Sequence, residues 1–70
     1  MPQSGSVALD NLKTLRATAV VRLEDLARAS NTSENTIKQL EDGGSVSAEV
    51  AQRIADALGE TLETCGVRVF

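Results

Sequence analysis

Residues that interrupt or end helices divide this chain into short segments, and these short segments limit it to a bundle of short helices. Val20-Val21 interrupts a first apolar pattern, Asn31 follows a second, Asp42-Gly43-Gly44 ends a third and Gly59 ends a fourth. Asn and Gly tolerate the left-handed backbone conformation that tight turns require. Within the segments, apolar residues recur at three- and four-residue spacing, which predicts amphipathic helices.

The spacing predicts a first helix of about ten residues that begins near Leu9. A second helix is predicted over residues 23–30 and a third over residues 34–41. Ser33 is a strong N-cap candidate for the third, because its hydroxyl can accept hydrogen bonds from the free amides of the next turn. Ser47 is predicted to cap the fourth helix in the same way, and Thr61 one further turn.

The two ends of the chain differ from the helical part. Residues 1–8 are polar and contain Gly and Ser, which predicts a flexible leader. Residues 67–70, Val-Arg-Val-Phe, have a strand-like order. Since no other strand is predicted, this strand would either fray or pair with its copy across a two-fold axis. The candidates for dimerisation are Leu62, Cys65, Val67, Arg68, Val69 and Phe70.

Composition excludes several classes of function. The chain has no His and a single Cys, Cys65, so neither a metal site nor an internal disulfide is expected. The lone Cys fits a reducing cytoplasm, and its expected role is that of a small buried hydrophobic residue. Phe70 is the only aromatic residue, which argues against stacking of single-stranded bases. No membrane span, secretion signal, cofactor or nucleophile–base pair is indicated, and an enzyme is not expected.

Charge is distributed unevenly around a net value of −3. From Met1 to Glu41, five basic residues balance five acidic ones, whereas five acidic residues face only Arg53 and Arg68 from Asp42 onward. If nucleic acid is the partner, the first half of the chain must therefore contact it.

One stretch resembles a known family. The sequence "LEDLARASNTSENTIKQLEDG" is similar to the second and third helices of the Cro/phage-repressor (XRE-type) helix-turn-helix family, and "SAEVAQRIADALGETLE" is similar to that family's fourth helix and the start of its fifth. The resemblance covers about residues 9–66. The matching positions are Leu26, Ala27, Asn31, Ser33, Thr36, Ile37, Leu40, Glu41, Asp42 and Gly43.

The resemblance implies an all-α bundle of four to five short helices whose third helix, residues 34–41, lies in the major groove of DNA. It also implies a structural ion pair between Arg16 and Glu41. The candidates for base contacts are Glu34, Asn35, Lys38 and Gln39. The candidates for phosphate contacts are Lys13, Arg22, Arg28, Ser33, Thr36, Gly44 and Ser45.

The chain departs from the family pattern on both sides of the third helix, residues 34–41, which is the recognition helix of this family. The second helix begins at Arg22-Leu23, where a Ser or Thr cap and a polar residue are usual. The loop after the third helix reads "GGSVS" and has no basic residue. Within the recognition helix, Glu34 suits the positive end of the helix dipole and is spaced to form an ion pair with Lys38.

The sequence favours a cytoplasmic, prokaryotic or phage repressor that binds a palindromic operator in double-stranded DNA as a homodimer, and that is associated with the nucleoid when bound. The alternative is a protein-interaction module on the same fold, an antitoxin-like or regulator-binding subunit with weak or no DNA binding. The absence of loop Lys or Arg and the acidic second half favour this alternative.

Overall fold

The computed structural model describes residues 6–70, which form four α-helices and a three-stranded sheet. No helix in this range is long and apolar enough to cross a membrane. In chain order the elements are β1 (Ser6–Leu9), α1 (Leu12–Ala19), α2 (Leu23–Ser30), α3 (Glu34–Glu41), β2 (Val46–Ser47), α4 (Ala48–Leu58) and β3 (Val67–Val69).

The predicted helical bundle with a C-terminal strand is confirmed, and α2 and α3 have the predicted bounds. Ser33 and Ser47 cap α3 and α4 as expected, accepting from the amides of Thr36 at 3.1 Å and Val50 at 3.3 Å. Thr61 caps one further turn by accepting from the amide of Thr64 at 3.1 Å.

The apolar faces of all four helices meet β1 in one core. Leu12 of α1, Leu26 of α2, Ile37 of α3 and Ile54 of α4 are each no more than 1% exposed. The other hydrophobic members of the buried cluster are Val7, Leu9, Ala27, Leu40, Ala51, Ala55 and Cys65. Ile37 and Leu40 of α3 therefore lie in the same core cluster as residues of the other three helices.

The sheet corrects the predictions for both ends of the chain. It is antiparallel with the order β2-β1-β3, and Val7 pairs with Val46 on one side and Val69 on the other. Residues 6–8 therefore belong to the domain and not to a flexible leader, because Val7 and Ala8 are buried in the core. Residues 1–5 of that predicted leader lie outside the described residues. Because Leu9 ends β1, α1 begins at Leu12 and is shorter than predicted.

The C-terminal strand was expected to have no partner within its own chain, and this premise is wrong. β3 pairs with β1 along its whole length, with Leu9 opposite Val67 and Ala8 opposite Arg68. Cys65 is fully buried in the core of its own chain, so it is not available for contacts between subunits. Its burial raises the pKa of the Cys65 thiol, and the nearby Glu60 carboxylate adds to the effect.

All four helices end in the same hydrogen-bonded turn, with one residue at positive φ. The amide that follows this residue donates to a carbonyl five positions back, as Thr32 does to Ala27 at 2.9 Å. The positive-φ position is held by Val20, Asn31, Gly43 and Gly59 in turn. Asn and Gly suit this conformation, whereas a β-branched residue is strained in it.

Val20 is the strained member of this set. Its φ is 56° and its side chain is 87% exposed, so burial does not offset the strain. We expect Val20→Asn to raise the free energy of unfolding by about 1 kcal/mol, because Asn is much less disfavoured in this conformation. Urea unfolding measures the change.

Asn31→Val is the matched reverse substitution, since Asn31 has φ 57° and is also exposed. It should lower the free energy of unfolding by a similar amount. A free energy of unfolding that is nearly unchanged in both variants would contradict the assignment of strain to Val20.

Candidate nucleic-acid interface

The turn between α2 and α3 is fixed by hydrogen bonds on both sides. The buried Ser30 hydroxyl donates to the carbonyl of Leu26 at 2.7 Å and lies 2.8 Å from the Thr32 hydroxyl. Asn31 adopts the left-handed conformation predicted for it, and Ser33 then caps α3. The angle between the two helices is thus set by the sequence Ser-Asn-Thr-Ser.

The side of α3 that faces away from the core displays the predicted base-contact residues. Ile37 and Leu40 are buried at 0% and 2% exposure, which leaves Glu34, Asn35, Lys38 and Gln39 exposed. These four side chains carry carboxylate, amide and ammonium groups, the hydrogen-bonding groups that recognise base edges. The expected Glu34–Lys38 ion pair does not form within residues 6–70, so both charges face solvent.

The end of α3 is joined to α1 by the predicted Arg16–Glu41 ion pair. The Arg16 guanidinium donates from Nε to Glu41 Oε2 at 2.5 Å and from Nη2 to Oε1 at 3.1 Å. A third donor, Nη1, bonds the carbonyl of Val21 at 3.0 Å. The Glu41 side chain is 7% exposed, so water screens this bidentate pair weakly. The hydrogen bond to Glu41 raises the pKa of Arg16 above its ordinary value.

The predicted phosphate-contact cations are exposed, but two of them already have acidic neighbours. Arg22 lies 3.7 Å from Asp25, and Arg28 lies 3.5 Å from Glu24. More than 70% of each arginine side chain is exposed, so these ion pairs are weak and can exchange for phosphates. Lys13 and Lys38 are exposed and form no ion pair within the described residues.

The remaining phosphate candidates are uncharged and lie at the two ends of α3. Ser33 and Thr36 share a hydrogen bond of 2.8 Å between their hydroxyls at its N-terminus. Gly44 and Ser45 follow its C-terminus and are half-buried. At the N-terminus of α2 no side chain caps the free amides, as the departure at Arg22-Leu23 indicated.

One residue of this region was not singled out from the sequence. Arg53 of α4 donates to the carbonyl of Asn31 at 3.5 Å and lies 3.4 Å from Glu49. It therefore links α4 to the turn between α2 and α3. The only signal in the sequence is an isolated basic residue in the otherwise acidic fourth helix, which is too weak to assign a contact 22 residues away along the chain.

A protein-family model described as a helix-turn-helix domain matches residues 10–64. The chain belongs to the helix-turn-helix domain family. This membership confirms the resemblance to Cro/phage-repressor (XRE-type) domains and supports DNA binding by this helix-turn-helix domain. No curated protein and no solved structure matches the chain.

Among the ion pairs of residues 6–70 in this helix-turn-helix domain, we expect mutation of the Arg16–Glu41 pair to change the free energy of unfolding most, because it is the least exposed. Arg16→Met would leave a carboxylate 7% exposed without its partner and should lower the free energy of unfolding by about 2–3 kcal/mol. Chemical denaturation of the variant and the wild type measures this loss.

The control is Arg22→Met, because its ion pair with Asp25 is exposed and should contribute less than about 1 kcal/mol. A loss for Arg16→Met as small as that of the control would contradict a structural role for the pair.

Proposed function

We propose that this helix-turn-helix domain is a sequence-specific transcriptional regulator, a repressor that binds a palindromic operator in double-stranded DNA as a homodimer. The observation that carries the proposal is the exposed face of α3, where Asn35, Lys38 and Gln39 project from a helix anchored through Ile37 and Leu40. In the proposed complex α3 lies in the major groove. Asn35 and Gln39 pair with adenines, and Lys38 donates to guanine or phosphate.

The net charge of −3 does not by itself exclude this function, because basic and acidic residues are equal in number from Met1 to Glu41 and the excess negative charge lies from Asp42 onward. The candidate phosphate-contact cations are all exposed. Lys13 belongs to α1, Arg22 directly precedes α2, Arg28 lies near the end of α2, and Lys38 belongs to α3. The exposed carboxylates Glu49 and Asp56 belong to α4. With only four such cations per subunit, the salt dependence should be shallow and two subunits should be needed for tight binding.

Selection from a random double-stranded DNA library tests the proposal. The wild type should enrich a palindrome with half-sites about one helical turn apart. Asn35→Ala should relax the preference at one base pair per half-site and weaken binding there by about 1–3 kcal/mol, since it removes a base contact.

Gln52→Ala is the matched control, because Gln52 is an exposed helical amide on α4 and should leave the selected sequence unchanged. No enrichment of any sequence at about 50 mM salt, where phosphate contacts are strongest, would refute the proposal.

The homodimer is proposed to form through the outer edge of β3. The amide of Phe70 donates to Ser6 at 2.9 Å and that of Asp10 donates to Gly66 at 3.1 Å. Hydrogen-bonded pairs alternate with non-hydrogen-bonded pairs along an antiparallel ladder, and Val69 opposite Val7 belongs to the second kind, so its backbone groups point away from β1. Within residues 6–70 no strand covers this side. Val69 is 71% and Phe70 61% exposed. Pairing of β3 with its copy would satisfy these groups and cover both side chains.

The other dimerisation candidates have different surroundings. Leu62 and Val67 are half-buried against the core of their own chain. Arg68 lies 3.2 Å from Asp10, and its guanidinium lies 5.2 Å from the centre of the Phe70 ring. The edge therefore offers mainly Val69 and Phe70 to a second subunit.

Val69→Pro tests the interface. Proline removes the outward amide and should make the protein monomeric at concentrations where the wild type is dimeric, without removing a hydrogen bond to β1. Sedimentation equilibrium measures the mass, with Val69→Thr as the control that keeps the amide. A Val69→Pro variant that remains dimeric would exclude this interface.

A protein-interaction module on the same fold is the second candidate function. It is favoured by the acidic second half and by the loop after α3, which contains no Lys or Arg. In either case the proposed location is the cytoplasm, with the nucleoid added for a DNA-bound repressor. A well-folded wild type that enriches no DNA but copurifies with one defined protein from its source would favour this candidate.

A further inference from the structure

The side chain of Gln39 differs from the other exposed side chains of α3, because the following loop holds it. Its Nε2 donates to the carbonyl of Ser45 at 3.3 Å. Within residues 6–70 no side-chain hydrogen bond restrains Asn35 or Lys38. This hydrogen bond restrains Gln39 before any ligand is bound, which lowers the rotamer entropy lost on binding.

The loop reaches Gln39 because α3 ends in a closed turn. The amide of Gly43 donates to the carbonyl of Leu40 at 3.2 Å, and the amide of Gly44 donates to the carbonyl of Gln39 at 2.7 Å. These two bonds fold residues 42–45 back over the last turn of the helix. They place the carbonyl of Ser45 beside the Gln39 amide.

Gly44 is required here by space and not by its backbone angles. A Cβ atom at this position would lie 2.5 Å from Gln39 Cγ and 2.8 Å from the Gln39 carbonyl oxygen. Both distances are far below van der Waals contact, and the second involves backbone that cannot rotate away. Any other residue at position 44 would push the loop and the Gln39 side chain apart.

We propose that residues 42–45 lock Gln39 in the orientation that reads an adenine, with Gly44 as the positioning residue. The Nε2 group has two hydrogens, and only one is donated to Ser45. The second hydrogen and the Oε1 acceptor match N7 and the N6 amino group of adenine. This inference rests on the proposed DNA-binding function, which already pairs Gln39 with adenine, and adds what holds the Gln39 side chain in place.

The first part of the test uses selection from random double-stranded DNA. In each half-site, besides the adenine read by Asn35, the wild type should prefer adenine by roughly 5- to 150-fold at the position read by Gln39, and Gln39→Ala should abolish the preference at that position. Gly44→Ala should reduce the same preference most of the way to none. It should leave unchanged the base preferences that depend on Asn35. In a Gln39→Ala background, Gly44→Ala should cause no further change of sequence preference.

Gly43→Asn is the matched control for Gly44→Ala. A Cβ at position 43 meets nothing within 4 Å, and Asn tolerates its positive φ, so the same turn is altered without pushing Gln39. Equal loss of affinity for all sequences in Gly44→Ala would indicate a purely structural role and overturn the positioning. Retention of the adenine preference in Gln39→Ala would overturn the assignment of the reader.

The second part of the test needs no DNA. Nitrogen-15 relaxation of the Gln39 Nε2 group should show a restrained side chain in the wild type and in Gly43→Asn, and a mobile one in Gly44→Ala. Equal mobility in all three proteins overturns the positioning. A restrained Gln39 in a protein that selects no DNA sequence refutes the proposed function and the adenine contact, while the locked side chain is upheld.

Discussion

The Arg16 guanidinium joins three parts of the domain through a single planar group. It forms a bidentate ion pair with Glu41 at the end of α3 and donates to the carbonyl of Val21, where the chain passes from α1 to α2. This side chain therefore helps to fix the position of α3 relative to the first two helices, together with the turn between α2 and α3 and the core packing of Ile37 and Leu40. An arginine suits this role, because its rigid fork of donors can bind a carboxylate and a carbonyl at once. The charge is permanent at any physiological pH, since Glu41 raises the pKa of Arg16 further.

Hydrogen-bonded turns at the helix ends act together with the ion pair to fix the helices and the loop after α3. Each helix ends in the same closed turn, and in two of the four this turn has a role near the proposed DNA surface. The turn at Asn31 sets the angle between α2 and α3 and is also bonded by Arg53 of α4. The turn at Gly43 and Gly44 folds the loop back onto Gln39. In a small domain, ends fixed in this way let a helix of eight residues present its side chains in defined directions.

The parts of the fold that local chemistry determines could be predicted from the sequence. The bounds of α2 and α3 follow from Asn31, Ser33 and the Asp-Gly-Gly turn, because caps and positive-φ residues act within a few positions. The Arg16–Glu41 pair came from the family resemblance and not from spacing, since 25 residues separate its partners.

Long-range pairing explains what the sequence did not reveal. Ser6–Leu9 forms a strand only because Val67–Val69 and Val46–Ser47 lie on either side of it, and four residues carry too short a pattern to show this. Leu9 fits the helical spacing of Leu12 equally well, which is why α1 was extended too far. The contact of Gln39 with Ser45 depends on the fold of a glycine loop, which no periodicity encodes.

The acidic composition is compatible with the proposed DNA-binding role, because the excess negative charge lies from Asp42 onward and the chain up to Glu41 has equal numbers of basic and acidic residues. The most direct test is a titration of the nitrogen-15-labelled protein with its selected DNA duplex, followed by backbone amide shifts. We expect the largest shifts in α3 and residues 42–45, smaller ones near Lys13, Arg22 and Arg28, and little change along the exposed carboxylates of α4. Shifts concentrated on α4, with α3 unchanged, would contradict DNA binding through α3.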